Sequence, residues 1–151
     1  MDLQVCVMGL GYIGLPTASL LATKGFQVLG VDISDDVVAK INQGEIHIVE
    51  TGWDILVKSA IHLQNPKASL QPEHADVFII AVPTPFEHNK QPDLSFIEAA
   101  SDAIAPYLQE NNLINLESTS PVGTTQKIQH QIHLRRPDLK RLYFAYCPER
   151  V

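Results

Sequence analysis

The feature that most constrains this 151-residue chain is a glycine-rich turn that follows an apolar run near its amino terminus. Gly9, Gly11 and Gly14 are spaced Gly-x-Gly-x-x-Gly, and a second apolar run ends at Asp32. A turn of this kind joins a parallel strand to a helix, whose N-terminal N–H groups and dipole favour a pyrophosphate. An acid about twenty residues further on accepts hydrogen bonds from an adenosine ribose. The pattern therefore predicts a dinucleotide site on one strand–helix–strand unit.

Each glycine is required in such a turn for a different physical reason. Gly9 permits the tight turn out of the strand, and Gly11 has no side chain to keep a pyrophosphate away from the backbone. Gly14 lets the helix pack closely on the strand. The alternative is a glycine-rich turn with no ligand. The combination of strand, glycines, helix and acid favours binding.

Apolar, strand-like runs alternate with helix-like periods along the chain. We expect strands near 3–8, 27–32, 67–70, 76–82, 112–117 and 142–147, and helices near 12–24, 35–43, 53–62, 94–109 and 124–134. This alternation is typical of a parallel sheet covered by helices on both faces. The sequence thus predicts an α/β fold with a doubly wound, Rossmann-type sheet, in one domain over residues 1–151.

Polar or turn-forming residues follow three of the predicted strands. Pro83 and Thr84 follow the fourth, Ser118 and Thr119 the fifth, and Glu149 the sixth. With the strand order 3-2-1-4-5-6, ligands bind outside the carboxyl ends of the strands where the first and fourth are neighbours. We therefore expect Pro83 and Thr84 to line the cofactor crevice. The alternatives are a rigid turn at Pro83, hydroxyls that only satisfy turn backbone, and a solvated Glu149.

Composition argues against several other classes of protein. The net charge is −6 and no segment is strongly basic, so we expect no nucleic-acid partner. The longest fully apolar run, 77–82, is far too short to cross a bilayer, so we expect no membrane partner. The six histidines lack the spacing of metal ligands, and we expect no metal. Cys6 and Cys147 lie within or just after predicted strands, which is typical of buried, reduced thiols in a cytoplasmic protein.

Five segments together resemble the UDP-glucose/GDP-mannose dehydrogenase family. They are GLGYIGLP at 9–16, VD at 31–32, VPTP at 82–85, ESTSPVGT at 117–124 and CPERV at 147–151, and they follow one another along the whole chain. The first is shared with many dinucleotide enzymes, whereas the last three are much more specific. The ending Pro-Glu-Arg-Val favours a branch other than the UDP-glucose enzymes, which carry Pro-Glu-Phe-Leu.

The resemblance implies an NAD-dependent oxidoreductase. Family members oxidise the primary alcohol of a nucleotide sugar, here a UDP-sugar, to a carboxylate, and two hydrides go to two successive NAD molecules. By resemblance, Thr119 helps to hold the water or the substrate oxygen and Glu149 approaches the sugar, which makes them the candidate catalytic residues. The resemblance also gives the expected cofactor-binding set: Gly9, Gly11, Tyr12, Ile13, Gly14, Asp32, Pro83, Thr84, Ser118 and Thr119.

Family members are much longer than this chain. Their nucleophilic cysteine, their lysine and asparagine, and their nucleotide-binding domain lie in later segments. Neither Cys6 nor Cys147 has the glycine-rich context of that nucleophile. We therefore expect residues 1–151 to form the cofactor domain, to turn over no nucleotide sugar alone, and to belong to a full-length homo-oligomer.

Two other interpretations remain open at this point. One is a catalytically silent, stand-alone NAD-binding module. The other is a methyltransferase, because those enzymes also place a glycine-rich loop after the first strand and an acid after the second. Gly14 and a helix dipole directed at a pyrophosphate favour NAD over S-adenosylmethionine.

Overall fold

A computed structural model describes residues 2–48, 52, 54–63 and 65–149. The described chain contains a six-stranded sheet in the order β3-β2-β1-β4-β5-β6, in which every neighbouring pair is parallel. The strands are β1 (Gln4–Met8), β2 (Gln27–Val31), β3 (Lys67–Ser69), β4 (Val77–Ile80), β5 (Leu113–Leu116) and β6 (Tyr143–Tyr146). The helices are α1 (Gly14–Thr23), α2 (Asp35–Asn42), α3 (Asp54–His62), α4 (Ser95–Ile104) and α5 (Thr124–Arg135). The predicted Rossmann-type fold is confirmed.

Most elements are slightly shorter than the apolar runs that predicted them. The helix expected over 94–109 ends at Ile104 and continues only as a 3₁₀ turn, Ala105–Tyr107. Pro106 lies in that turn, and a proline has no N–H to continue an α-helix. Residue 53, expected to begin the third helix, lies outside the described residues, as do residues 150 and 151 of the 147–151 segment.

The core has two parts, one on each face of the sheet. Residues of α1, α2 and α3 pack on one face against side chains such as Val5, Val7 and Ile79. Residues of α4 and α5 pack on the other face against side chains such as Phe78 and Ile80. Successive strand residues point to opposite faces, and both faces of β1 and β4 are covered, so both strands are apolar apart from the exposed Gln4 at the start of β1. This explains why these two strands read as continuous apolar runs.

The position that matters for binding is the boundary between β1 and β4. The chain leaves β1 towards β2 and β3, whereas it leaves β4 towards β5 and β6. The connections on the two sides therefore diverge and leave a crevice at the carboxyl ends of these two strands. A cavity of about 400 Å³, lined by Gln4, Gln27 and His74 among others, lies at the opposite, amino edge of the sheet.

Candidate functional site: a dinucleotide crevice

The turn after β1 is held by backbone contacts that require a glycine at its first position. Gly9 has φ +95°, and its N–H donates to the carbonyl of Val31 at 2.7 Å. A Cβ atom on Gly9 would lie 2.7 Å from the carbonyl oxygen of Ala81, which follows β4. A side chain there would meet both an unfavourable φ and a fixed backbone atom.

Gly14 and Gly11 have opposite surroundings, although both belong to the same motif. A Cβ on Gly14 would lie 1.7 Å from the carbonyl oxygen of Gly9, so α1 can begin where it does only without a side chain. A Cβ on Gly11 would meet no atom within 4 Å. The fold therefore requires Gly14 but makes no steric demand for Gly11. A ligand lying close to the backbone is a physical reason for glycine at that position.

The N-terminus of α1 opens onto this turn without a protein anion to cap it. Ile13 occupies the N-cap position with no side-chain hydrogen bond, and the first turn contains no acidic residue. Pro16 stands at the third helical position, where its missing N–H falls among the unpaired donors of a helix start. The free N–H groups and the positive end of the dipole are thus available to a phosphate. Tyr12 lies at the mouth of the turn with 64% of its surface exposed.

Asp32 connects the end of β2 to the same turn. Its Oδ2 accepts from the N–H of Leu10 and its Oδ1 from the N–H of Ser34, both at 3.0 Å. Each carboxylate oxygen has a further acceptor site. Asp32 is half-buried, so these sites remain available to the hydroxyls of a ribose. The geometry fits the adenosine end of a dinucleotide.

The other side of the crevice is formed by the segments after β4, β5 and β6. The hydroxyl of Thr84 donates to the carbonyl of Thr119 at 2.8 Å, and the hydroxyl of Ser118 donates to the carbonyl of Val82 at 2.7 Å. The hydroxyl of Thr119 lies 3.5 Å from the carbonyl of Glu149. The fold thus brings Thr84, Thr119 and Glu149 together at one edge of the sheet.

The residues on this side differ in what they present to a ligand. Pro83, Thr119 and Glu149 are exposed, and Thr84 is half-buried. Ser118 is buried, and its hydroxyl proton is committed to the carbonyl of Val82. In this arrangement the side chain of Ser118 fastens β5 to the end of β4 and is not presented to the crevice.

Sequence reasoning missed Glu117, which it treated only as the end of the fifth strand and part of a motif. Glu117 is 9% exposed, and its Oε1 accepts from the hydroxyl of Thr17 on α1 at 2.7 Å. Burial and then the negative charge of Glu149 raise the pKa of Glu117, while the hydrogen bond from Thr17 opposes the rise. The sequence did contain a signal for Glu117, which is an acid immediately after a buried strand. Because side chains alternate along a strand, residue 117 points to the face of the sheet opposite Leu116.

The expectation of two buried thiols is correct for Cys6 and wrong for Cys147. Cys6 is fully buried, and burial raises the pKa of its thiol to about 12. Cys147 is a free, exposed thiol. The reason is its position: it follows β6, the edge strand of the sheet, where the described chain provides no further strand to cover it.

The described residues provide neither a metal site nor a membrane-spanning helix. Residues 2–48, 52, 54–63 and 65–149 contain no group of three histidine, cysteine or acidic side chains placed to hold a metal ion. No helix within these ranges is both long enough and apolar enough to cross a bilayer.

The sequence is similar to known proteins over nearly its whole length. Residues 3–151 match the model of the UDP-glucose/GDP-mannose dehydrogenase family, NAD binding domain. The chain belongs to this family. Its cofactor is therefore NAD, which removes the methyltransferase interpretation, and the chain is the NAD-binding domain of a nucleotide-sugar dehydrogenase.

The chain is also similar to individual members of this family. It is 52% identical to the NDP-N-acetyl-D-galactosaminuronic acid dehydrogenase of Ralstonia nicotianae, with 97% of the chain and 37% of the relative covered. It is 51% identical to the UDP-N-acetyl-D-mannosamine dehydrogenase of Campylobacter jejuni, with 98% and 39% covered. The native structure of the UDP-N-acetyl-mannosamine dehydrogenase of Staphylococcus aureus superimposes with a TM-score of 0.89 at 38% identity, covering 98% of this chain and 37% of that one. The chain thus spans well under half the length of these relatives.

Proposed function

We propose that this domain provides the NAD site of a full-length enzyme that oxidises the primary alcohol of a UDP-linked N-acetylhexosamine to the carboxylate in two NAD-dependent steps. The observation that most strongly supports this proposal is that the glycine turn, Asp32, Thr119 and Glu149 all lie at the carboxyl edge of one sheet. NAD, when bound, supplies a hydride acceptor. The names of the relatives support UDP-N-acetyl-D-mannosamine as the first substrate to test and the galactosamine derivative as the second.

The residues of this chain have different roles in the proposed reaction. The turn at Gly9 to Gly14 and the start of α1 bind the pyrophosphate, and Asp32 binds the adenosine ribose. Pro83, Thr84 and Thr119 line the nicotinamide side. The hydroxyl of Thr119 holds the substrate oxygen or a water, and the exposed carboxylate of Glu149 contacts the sugar.

The function is tested on the native protein that carries these residues at full length. We expect NADH to form from NAD and UDP-N-acetyl-D-mannosamine at two NADH per sugar, with UDP-N-acetyl-D-galactosamine and UDP-glucose as comparison substrates. Glu149→Gln is expected to lower kcat/KM by about a hundredfold or more if Glu149 handles a proton, while NAD binding is retained. Exposed Glu87→Gln is the matched control. Binding of NAD with no oxidation of any sugar would instead support the catalytically silent module.

Selectivity for NAD over NADP is a second expected result. Asp32 would meet the 2′-phosphate of NADP with like charge, whereas it accepts hydrogen bonds from the ribose hydroxyls of NAD. Losing hydrogen bonds to a charged group costs about 1.5–3 kcal/mol, so Asp32→Ala should weaken NAD binding at least about tenfold. Calorimetric titration of both cofactors measures this, with exposed Asp35→Ala as the control. Equal affinity of the unaltered protein for NAD and NADP would refute the role of Asp32.

A further inference from the structure

Glu117 lies between the two halves of the proposed crevice. Its backbone N–H donates to the carbonyl of Ile80 at 2.9 Å, which fixes it at the end of β5 beside β4. Its side chain runs to α1, where Oε1 accepts from the hydroxyl of Thr17. Thr17 is the fourth residue of the helix whose first turn faces the pyrophosphate site. Glu117 is therefore joined directly to the helix that binds the phosphates.

The second oxygen of Glu117 has no hydrogen-bond partner within the part of the chain that the structure describes. Oε2 is buried, and no donor reaches it. A buried carboxylate oxygen without a cation or donor is costly, whereas a protonated carboxyl loses far less on burial. The geometry therefore favours the protonated form, with the proton on Oε2.

The charged groups around Glu117 also disfavour a carboxylate. Helix α1 carries no ionisable side chain over Gly14–Thr23, and neither does β4 over Val77–Ile80. On the β6 side, the described residues contribute the phenols of Tyr143 and Tyr146, the thiol of Cys147 and the carboxylate of Glu149. The charge of Glu149 raises the pKa of Glu117, in the same direction as burial.

We propose that Glu117 is a positioning residue of the cofactor crevice: uncharged, it ties α1 to the end of β5 and keeps the wall behind the phosphate-binding turn free of negative charge. The inference rests on the cofactor site proposed above. Glu117 is buried, so we assign it no direct contact with the ligand. Its effect on the pyrophosphate passes through α1 and through the charge state of its own carboxyl.

The test is the pH dependence of ligand affinity in the wild type, Glu117→Gln and the exposed control Glu45→Gln. Glutamine keeps an acceptor for Thr17 but cannot ionise. We expect the wild-type and Glu45→Gln Kd for NAD to rise at least about threefold as the pH rises through the titration of Glu117, because a new negative charge then opposes the pyrophosphate. The Kd of Glu117→Gln should stay flat. ADP-ribose, which has the pyrophosphate without nicotinamide, should show the same pH dependence as NAD.

Thermal unfolding provides an independent check on the charge state. A folded-state pKa above the ordinary 4.5 means that the folded protein binds more protons than the unfolded chain. The wild type should therefore lose stability relative to Glu117→Gln as the pH rises above about 4.5 through the raised pKa, and the difference should then become constant.

Several results would overturn the inference while leaving the proposed function intact. A pH-independent wild-type Kd, an equally steep profile for Glu117→Gln, or a pH effect on NAD that ADP-ribose does not share would each do so. A stability difference that does not change with pH would mean that Glu117 has the same pKa in the folded and unfolded protein and is ionised at neutral pH, which also contradicts the proposal. Failure of the wild type to bind NAD at any pH would count against the cofactor site itself.

Discussion

Replacing Gly11 with valine is expected to abolish detectable NAD binding while leaving the protein folded. A Cβ at this position meets no protein atom within 4 Å, and the residue has no positive φ, so the fold tolerates a side chain. The same open space is where a pyrophosphate approaches the backbone, and a branched side chain would occupy it. Calorimetric titration with NAD measures the loss, and circular dichroism with thermal unfolding measures the fold.

Gly11→Ala is the graded control for this result, because its single methyl group should weaken NAD binding less than valine does. Exposed Lys58→Ala on α3 controls for a general effect of substitution. Undiminished binding of NAD by Gly11→Val would mean that the glycine turn does not contact the cofactor. Loss of the folded state would mean that the turn is more constrained than its open surroundings indicate.

Replacing Gly14 with alanine, unlike replacing Gly11, is expected to cause a large loss of stability. The new methyl carbon would stand 1.7 Å from the carbonyl oxygen of Gly9, so α1 and the turn would have to separate. Overpacking costs about 1–3 kcal/mol and occasionally more, and a clash with a fixed backbone atom belongs at the upper end of that range. In a domain of this size the melting temperature falls by about 2–4 °C for each kcal/mol.

Gly11→Ala is the matched control here as well, since it adds the same methyl group to the same motif. We expect its melting temperature to stay close to that of the wild type, while Gly14→Ala melts well below both. Equal melting temperatures for the two variants would show that the close approach of α1 to Gly9 does not limit stability.

The fold and the geometry of the glycine turn were predictable because local patterns determine them. Alternating apolar strands and helical periods indicate a parallel sheet, and the spacing from Gly9 to Gly14 defines a turn whose geometry is nearly independent of the rest of the chain. The strand order places Thr84, Thr119 and Glu149 at one edge once the topology is known. These residues were therefore within reach of sequence reasoning.

The hydrogen-bond partners of Glu117 and Ser118 could not be predicted from the sequence, because these contacts join residues distant in the chain. The partner of Glu117 is Thr17, one hundred positions away, and the partner of the Ser118 hydroxyl is the carbonyl of Val82. The exposure of Cys147 was not predicted for a related reason. Its exposure depends on β6 being an edge strand, which only the order of strands reveals.

The hydrogen bonds that join the ends of β4, β5 and β6 have an entropic consequence. Thr84 to Thr119, Ser118 to Val82, and Tyr146 to the backbone of Ser120 hold three consecutive segments in place before any ligand arrives. Ordering a free backbone residue costs about 1–2 kcal/mol. A crevice whose proposed nicotinamide side is already fixed avoids that cost at the moment of binding. More of the interaction energy then appears as affinity and as accurate placement of the reacting carbon.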